Sequence, residues 1–293
     1  MDHPQDCFVD VKGVRARYWK AGEAGPAILL LAGIGCSVEE WQHNIGAFAQ
    51  SHRAYALDML GGGLTDKPDG DCYSIADLAR FTLDFLAAVG EQRAHIIGNS
   101  LGGRIALECA RLAPDRVASM VLVAPAGVGR ETLINMRLAT VPLLGELLTR
   151  PSRAGLRMLW RSAVHDPSVV TDALVEAKYQ DARRPGAHKA FLKTLRGFLE
   201  FGGFPHAQIA ALQAAMPAMK QPTLVVWGRN DKLLPAQQAD ILKANLPNAR
   251  VVLFDACGHV PQLERPVDFN KTVLDFLAAN YPNATPAPAR SSP

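Results

Sequence analysis

Ala94-His95-Ile96-Ile97-Gly98-Asn99-Ser100-Leu101-Gly102-Gly103-Arg104-Ile105-Ala106-Leu107 is the stretch that decides the fold of this chain. An apolar run with strand character leads into Gly98-Asn99-Ser100-Leu101-Gly102, and a helical run follows at once. Gly-x-Ser-x-Gly between a strand and a helix is the setting of a nucleophile elbow. The reason is steric. A serine at the tip of so sharp a turn has a strained backbone, and its flanks must be small for strand and helix to pass closely. Gly98, Gly102 and Gly103 supply that room. A bare pentapeptide of this kind also suits an ordinary glycine-rich turn, so the surrounding chain has to carry the reading.

Working outward, residues 8–11 and 14–19 flank Lys12-Gly13 and predict a hairpin. Apolar runs then alternate with helical segments. Strands are predicted at 27–31, 54–57, 95–98 and 118–123, and helices at 39–49, 75–89 and 101–112. This rhythm predicts an α/β fold, a mostly parallel sheet with helices on both faces. Functional groups in such sheets gather at the carboxyl ends of the strands. From 128 to 215 the strand rhythm stops. That stretch is rich in Leu, Ala and Arg, and Pro142, Pro151, Pro167, Pro185 and Pro205 cut it into short helices. Strands resume at 223–227 and 250–254, with helices at 236–245 and 267–280. The expected organisation is a core at 1–127 and 216–281, a helical lid at 128–215, and a proline-rich disordered tail at 282–293.

Composition narrows the classes. A chain of 293 residues suits one large α/β domain with an insertion, and 48% hydrophobic residues suffice for its core. A net charge of +3 without a basic stripe argues against a nucleic-acid partner. The five cysteines, Cys7, Cys36, Cys72, Cys109 and Cys257, are scattered and form no C-x-x-C pair. That argues against a zinc site or a disulfide framework and for a reducing, cytoplasmic setting. The polar start shows no secretory signal, and no apolar stretch is long enough for a membrane span. The expected partner is a small molecule, and the oligomeric state is left open.

A neutral serine hydroxyl needs a base, and the base needs an orienting group. Of eight histidines, His259 in Gly258-His259-Val260-Pro261 follows the last predicted strand, so it sits on a strand-end loop. Asp231, in Gly228-Arg229-Asn230-Asp231, follows the preceding strand. The order Ser100, Asp231, His259 is the one that accompanies this elbow. An oxyanion hole needs two backbone N–H groups. Leu101, directly after the serine, and Ile34, in the loop after the first parallel strand, are the candidates. Substrate contacts are expected from Gly33, Asn99, Trp41 and Val260, and the chemistry requires no cofactor and no metal. Phe191, Leu195, Phe198, Leu199 and Phe201 suggest an apolar wall on the lid or its packing onto the core.

Over nearly its full length the chain resembles the α/β-hydrolases. The matching segments are Ala32–Ser37, Asp58–Pro68, the elbow, the Asp231 loop and Gly258–Pro266. The resemblance implies a core sheet of about eight strands, a helical lid, and the triad Ser100, Asp231 and His259. Two departures stand out. Ala32 replaces the histidine that usually braces the oxyanion loop, so bracing must come from elsewhere. Gly61-Gly62-Gly63 replaces a loop that often carries a side chain at its centre.

Serine at the elbow tells against aspartate-nucleophile branches of that family. The leading expectation is hydrolysis of carboxylic esters through an acyl-enzyme. The alternatives are a lactonase, or carbon–carbon bond hydrolysis of the meta-cleavage-product type, whose elbow is similar and shares Asn99. Those hydrolases usually carry Trp where this chain has Val260, and a lid arginine whose place falls near Ala177-Lys178, with Arg183 and Arg184 close by. A non-catalytic ligand-binding member of the fold is the rival from another class.

Overall fold

The computed structural model describes residues 4–281; the tail expected to be disordered lies outside the described residues. β1 (Asp6–Val11) and β2 (Val14–Ala21) pair antiparallel across Lys12-Gly13. β2 also runs antiparallel to β4 (Arg53–Leu57). From there all pairings are parallel, through β3 (Ala27–Leu31), β5 (Ala94–Asn99), β6 (Val117–Val123), β7 (Thr223–Gly228) and β8 (Ala249–Phe254). The eight-stranded sheet has the order β1-β2-β4-β3-β5-β6-β7-β8.

Alternation along the strands explains why both faces are covered. Leu29, Leu31, Ile96, Met120 and Leu122 point to one face, beneath α2 (Ile75–Ala88), α3 (Leu101–Leu112) and α10 (Gln238–Asn245). Ile28, Leu30, Ile97, Val121 and Val123 point to the other, beneath α1 (Ile45–Phe48) and α12 (Pro266–Asn280). Ser74 starts α2 through a reciprocal capping box with Asp77. One predicted helix differs. The stretch 39–49 is a 3-10 turn at Val38–Trp41 followed by the separate α1. Asn44 breaks it: its backbone leaves helical geometry, and its amide donates to the Gln262 carbonyl and to Asn270 Oδ1.

Between β6 and β7 lie α4 (Ile134–Leu138), α5 (Leu144–Leu148), α6 (Arg153–Ala163), α7 (Asp172–Ala182), α8 (Ala187–Phe198) and α9 (His206–Ala215). Leu195, Phe198 and Leu199 belong to the main core, and Phe198 stacks on Phe204 at 5.8 Å between ring centroids. Phe201 stands out in solvent instead, so the five residues form no continuous apolar wall. No helix among the described residues is long and apolar enough to cross a membrane.

Candidate active site

Ser100 sits at the junction of β5 and α3 with φ 55° and ψ −114°, a left-handed φ on a residue with a Cβ. The elbow tolerates this because its neighbours cannot be larger. A Cβ on Gly98 would run into the Gly102 carbonyl, one on Gly102 into the Leu31 carbonyl, and one on Gly103 would lie 2.9 Å from the Gly98 oxygen. The Ser100 N–H donates to the Val123 carbonyl at 2.8 Å, which ties the turn to the end of β6. Leu101 follows as the first residue of α3, so its N–H belongs to a helix start without an intrahelical acceptor.

His259 and Asp231 come from the loops after β8 and β7. His259 Nδ1 lies 2.7 Å from Asp231 Oδ2, and both side chains are almost wholly buried. This hydrogen bond places the proton on Nδ1 and leaves Nε2 as the acceptor. Asp231 is held from several sides. Oδ1 accepts from the Leu233 and Leu234 amides at 2.8 and 3.0 Å, and Oδ2 also accepts from Trp227 Nε1 at 3.0 Å. Burial pushes the His259 pKa down. The charge and hydrogen bond of Asp231 outweigh it, aided by Glu40 and Glu264, so the imidazole titrates above its ordinary range.

The loop after β3 approaches the elbow closely: a Cβ on Gly33 would lie 3.5 Å from both Ser100 Cβ and Asn99 Oδ1. The bracing absent at Ala32 comes from groups that the sequence did not reveal. The Cys36 amide closes a turn onto the Gly33 carbonyl at 3.2 Å. Ser37 Oγ donates to Asp181 Oδ2 on α7 at 2.9 Å, and Val38 N donates to the buried Asp58 at 2.8 Å. Lys178, also on α7, pairs with Glu40 at 3.1 Å, with both side chains at most 2% exposed. Burial opposes the Lys178 charge, but Glu40 holds it well above the ordinary lysine range. Nothing in the sequence points to Glu40, which lies 138 residues from its partner within an unremarkable acidic turn. Glu264 was missed as well. It accepts from the Gly258 amide at 2.8 Å and from the His165 amide at 2.6 Å, joining the His259 loop to the insertion.

Two of the expected substrate contacts are wholly buried in the structure. Trp41 is fully buried against Phe269 in the core on the α12 side, because the 3-10 turn directs it inward. Asn99 is also buried, and its amide donates to the carbonyls of Val123 at 3.2 Å and His259 at 3.0 Å. It acts as a strut between β5 and the histidine loop. Val260 is buried with Trp160 and Val164 of the insertion, while Gly33 and Ser100 retain some exposure. Arg184 is engaged with Asp181 and Arg183 lies over Tyr179, so neither resembles a free lid cation. Burial raises the Cys36 and Cys257 thiols, which disfavours thiolate chemistry at either.

A nucleophile elbow, a histidine hydrogen-bonded to a buried carboxylate and two candidate oxyanion amides define a hydrolase-type site on a doubly covered sheet. A profile of the α/β hydrolase fold matches residues 26–266, and the chain belongs to that family. It is similar to 2-hydroxymuconate semialdehyde hydrolase of Pseudomonas putida, 33% identical over 91% of this chain and 92% of that protein. It is 30% identical to 2-hydroxy-6-oxo-6-phenylhexa-2,4-dienoate hydrolase of Comamonas testosteroni, over 92% of this chain and 93% of the relative. Among solved structures, the meta-cleavage product hydrolase CumD of Pseudomonas fluorescens IP01 is 27% identical, with a TM-score of 0.79 over 93% of this chain and 97% of that one. These relatives overturn the expectation of a carboxylic ester hydrolase and favour the carbon–carbon alternative.

Proposed function

We propose that the protein is a serine-dependent hydrolase of carbon–carbon bonds in vinylogous diketone acids, the meta-cleavage-product type of substrate. The observation that carries this reading is similarity at 30–33% identity, over nine-tenths of both chains, to relatives named for such substrates. Asn99 beside Ser100 at the elbow supports it.

The dienol substrate takes its keto form, its hydroxyl proton being replaced by one on the carbon next to the carbonyl to be cleaved. Ser100 Oγ attacks that carbonyl and gives its proton to His259 Nε2, while Asp231 stabilises the imidazolium. The Ile34 and Leu101 amides receive the oxyanion. Collapse breaks the carbon–carbon bond. The departing electron pair spreads into the conjugated enolate, which takes the proton from His259. Water then repeats the attack and releases the carboxylic acid. Residues 128–215 serve as the lid that excludes water from this sequence.

The Lys178–Glu40 pair has no net charge, and Val260 adds no polar group. Binding therefore depends less on the substrate carboxylate than it would with an unpaired lid cation. The experiment is a comparison of kcat/KM for a vinylogous diketone acid, its methyl ester, and a p-nitrophenyl ester of the same acyl group. The diketone acid should be preferred over the p-nitrophenyl ester, with its methyl ester within about tenfold (about 1.4 kcal/mol). Turnover of the p-nitrophenyl ester with no cleavage of either diketone would overturn the proposal. Failure of a fluorophosphonate to label Ser100 would remove the nucleophile assignment itself.

A further inference from the structure

The insertion carries a surface that the site chemistry does not use. Among the described residues ten large apolar side chains are strongly exposed, and eight of them lie between 134 and 201. Ile134, Leu143, Leu147, Leu148, Met158 and Phe201 each expose more than half of their surface, and Leu143 exposes 85%. Leu143 is also held at φ 67°, a conformation that a side chain with a Cβ seldom adopts, and this presents it outward at the start of α5.

Charge is concentrated in the same stretch. Residues 130–161 contain six arginines and two glutamates, whereas the whole chain has a net charge of only +3. Arg137 lies over the Phe201 ring at 5.6 Å. Arg153 and Arg157 are paired with Glu176 and Asp172 on α7, while the side chains of Arg150 and Arg161 are exposed and make no ion pair among the described residues. Helix α6 is two-sided. Trp160 and Ala163 are buried, with Trp160 packed on Val260 and Leu263, whereas Met158 and Arg161 face outward.

We infer that the outer face of α4, α5 and α6 is an interfacial surface that seats on an anionic lipid layer, with its leucines entering the headgroup boundary and its arginines meeting the negative charge. Apolar side chains interleaved with arginines on short amphipathic helices are the composition of segments that lie on a membrane without crossing it. A second copy of the chain fits less well, because a two-fold contact would set this basic face against itself. The position also matters for access. The His259 amide donates to the carbonyl of Ala163, at the end of α6, at 2.6 Å, so the proposed lipid-facing helix lies directly over the histidine loop.

The test is co-sedimentation of the full chain with phosphatidylglycerol–phosphatidylcholine vesicles and with pure phosphatidylcholine vesicles, at low and high salt. Binding to the anionic vesicles should be at least tenfold tighter and should weaken with salt. Arg150→Gln with Arg161→Gln should weaken it by roughly tenfold or more, at about fivefold per arginine. Leu143→Ser with Leu147→Ser should reduce it comparably and leave turnover of a soluble substrate and the melting temperature unchanged. Absence of binding to anionic vesicles, or binding by both double variants as tight as that of the parent chain, would overturn the inference. So would a concentration-dependent dimer that the leucine variant dissolves, since the face would then be a self-interface.

Discussion

The central strands and the 128–215 insertion handle apolar side chains in opposite ways. In β3 each residue from Ala27 to Leu31 is at most 2% exposed, and its side chains divide between two covered faces. In α5, Leu147 and Leu148 stand in water, and the insertion is held to the core by ion pairs and hydrogen bonds such as Lys178–Glu40, Ser37–Asp181 and Glu264 to the His165 amide. The sheet gets its precision from packing. The insertion reaches that core through Leu195, Phe198 and Leu199, and adds a set of polar contacts that fix α6 and α7 against the loops of the site. The candidate site lies where the two meet, with Ser100, Asp231 and His259 on strand ends and the brace of the loop after β3 reaching across from α7.

The largest expected effect lies on the sheet side. Ser100→Ala should lower kcat by about 10³–10⁶ and leave the urea midpoint within error of the parent. Leu147→Ser, on the insertion surface, should change neither. Substantial turnover by the Ser100 variant would place the chemistry elsewhere. The same contrast holds for glycines. Gly102→Ala drives a Cβ into the Leu31 backbone and should cost at least about 4 kcal/mol, whereas Gly202→Ala meets only the flexible end of Arg130 and should stay within about 0.5 kcal/mol. Chemical denaturation of both variants measures the difference.

At the seam the polar construction can be tested directly. Lys178→Met leaves Glu40 as a buried, unpaired charge and should destabilise by about 3–5 kcal/mol. Combining it with Glu40→Gln should restore most of that loss, because a buried neutral pair carries no unmet charge. A double variant as unstable as the single one would show that packing, and not charge, joins α7 to the loop.

The sheet also has a pH signature of its own. His95 is buried on β5, 2.8 Å from Ser119 Oγ, and burial, with His52 and Arg93 nearby, lowers its pKa to about 3. A folded pKa below the unfolded one means that this contribution is present above pH 6.5 or so and is lost as pH falls toward 3. Stability should therefore drop by roughly 2–4 kcal/mol between pH 7 and pH 4, and less in His95→Asn, as read from urea midpoints at each pH.

What could be read from the sequence follows the same division. Helix α3 begins and ends at Leu101 and Leu112 as predicted, because the elbow glycines and the apolar periodicity are local signals. The meeting of Asp231 with His259 was foreseeable because strand ends in a parallel sheet converge. Glu40, Lys178 and Asp181 were not foreseeable as a brace. Their partners lie more than a hundred residues away, and a charge in an amphipathic helix looks the same whether it meets water or a buried counter-ion. The burial of Trp41 was hidden for a related reason: its neighbourhood in sequence marks a loop near the site, and the broken helix at Asn44 turns it into the core. The ester expectation failed at a further level, since elbow, base and acid are common to many acyl and carbon–carbon cleavages and the discriminating groups line a surface that periodicity does not describe.

The smallest effect tests whether the seam reaches the chemistry. The His259 imidazole must be neutral to act as a base, so kcat/KM rises with pH through its pKa, which Asp231 holds above the ordinary range. Glu40 contributes to that elevation from the 3-10 turn after β3, where it meets the insertion. Replacing the Lys178–Glu40 pair with Met and Gln keeps the fold but removes this carboxylate. The acid limb of the pH–rate profile should then move to lower pH by less than about one unit, at most about 1.4 kcal/mol, while the plateau changes little. An unmoved limb with a lowered plateau would mean that the pair positions the oxyanion loop without acting on the base. A limb displaced upward would mean that the lost Lys178 charge acts on the base more strongly than the lost Glu40 carboxylate.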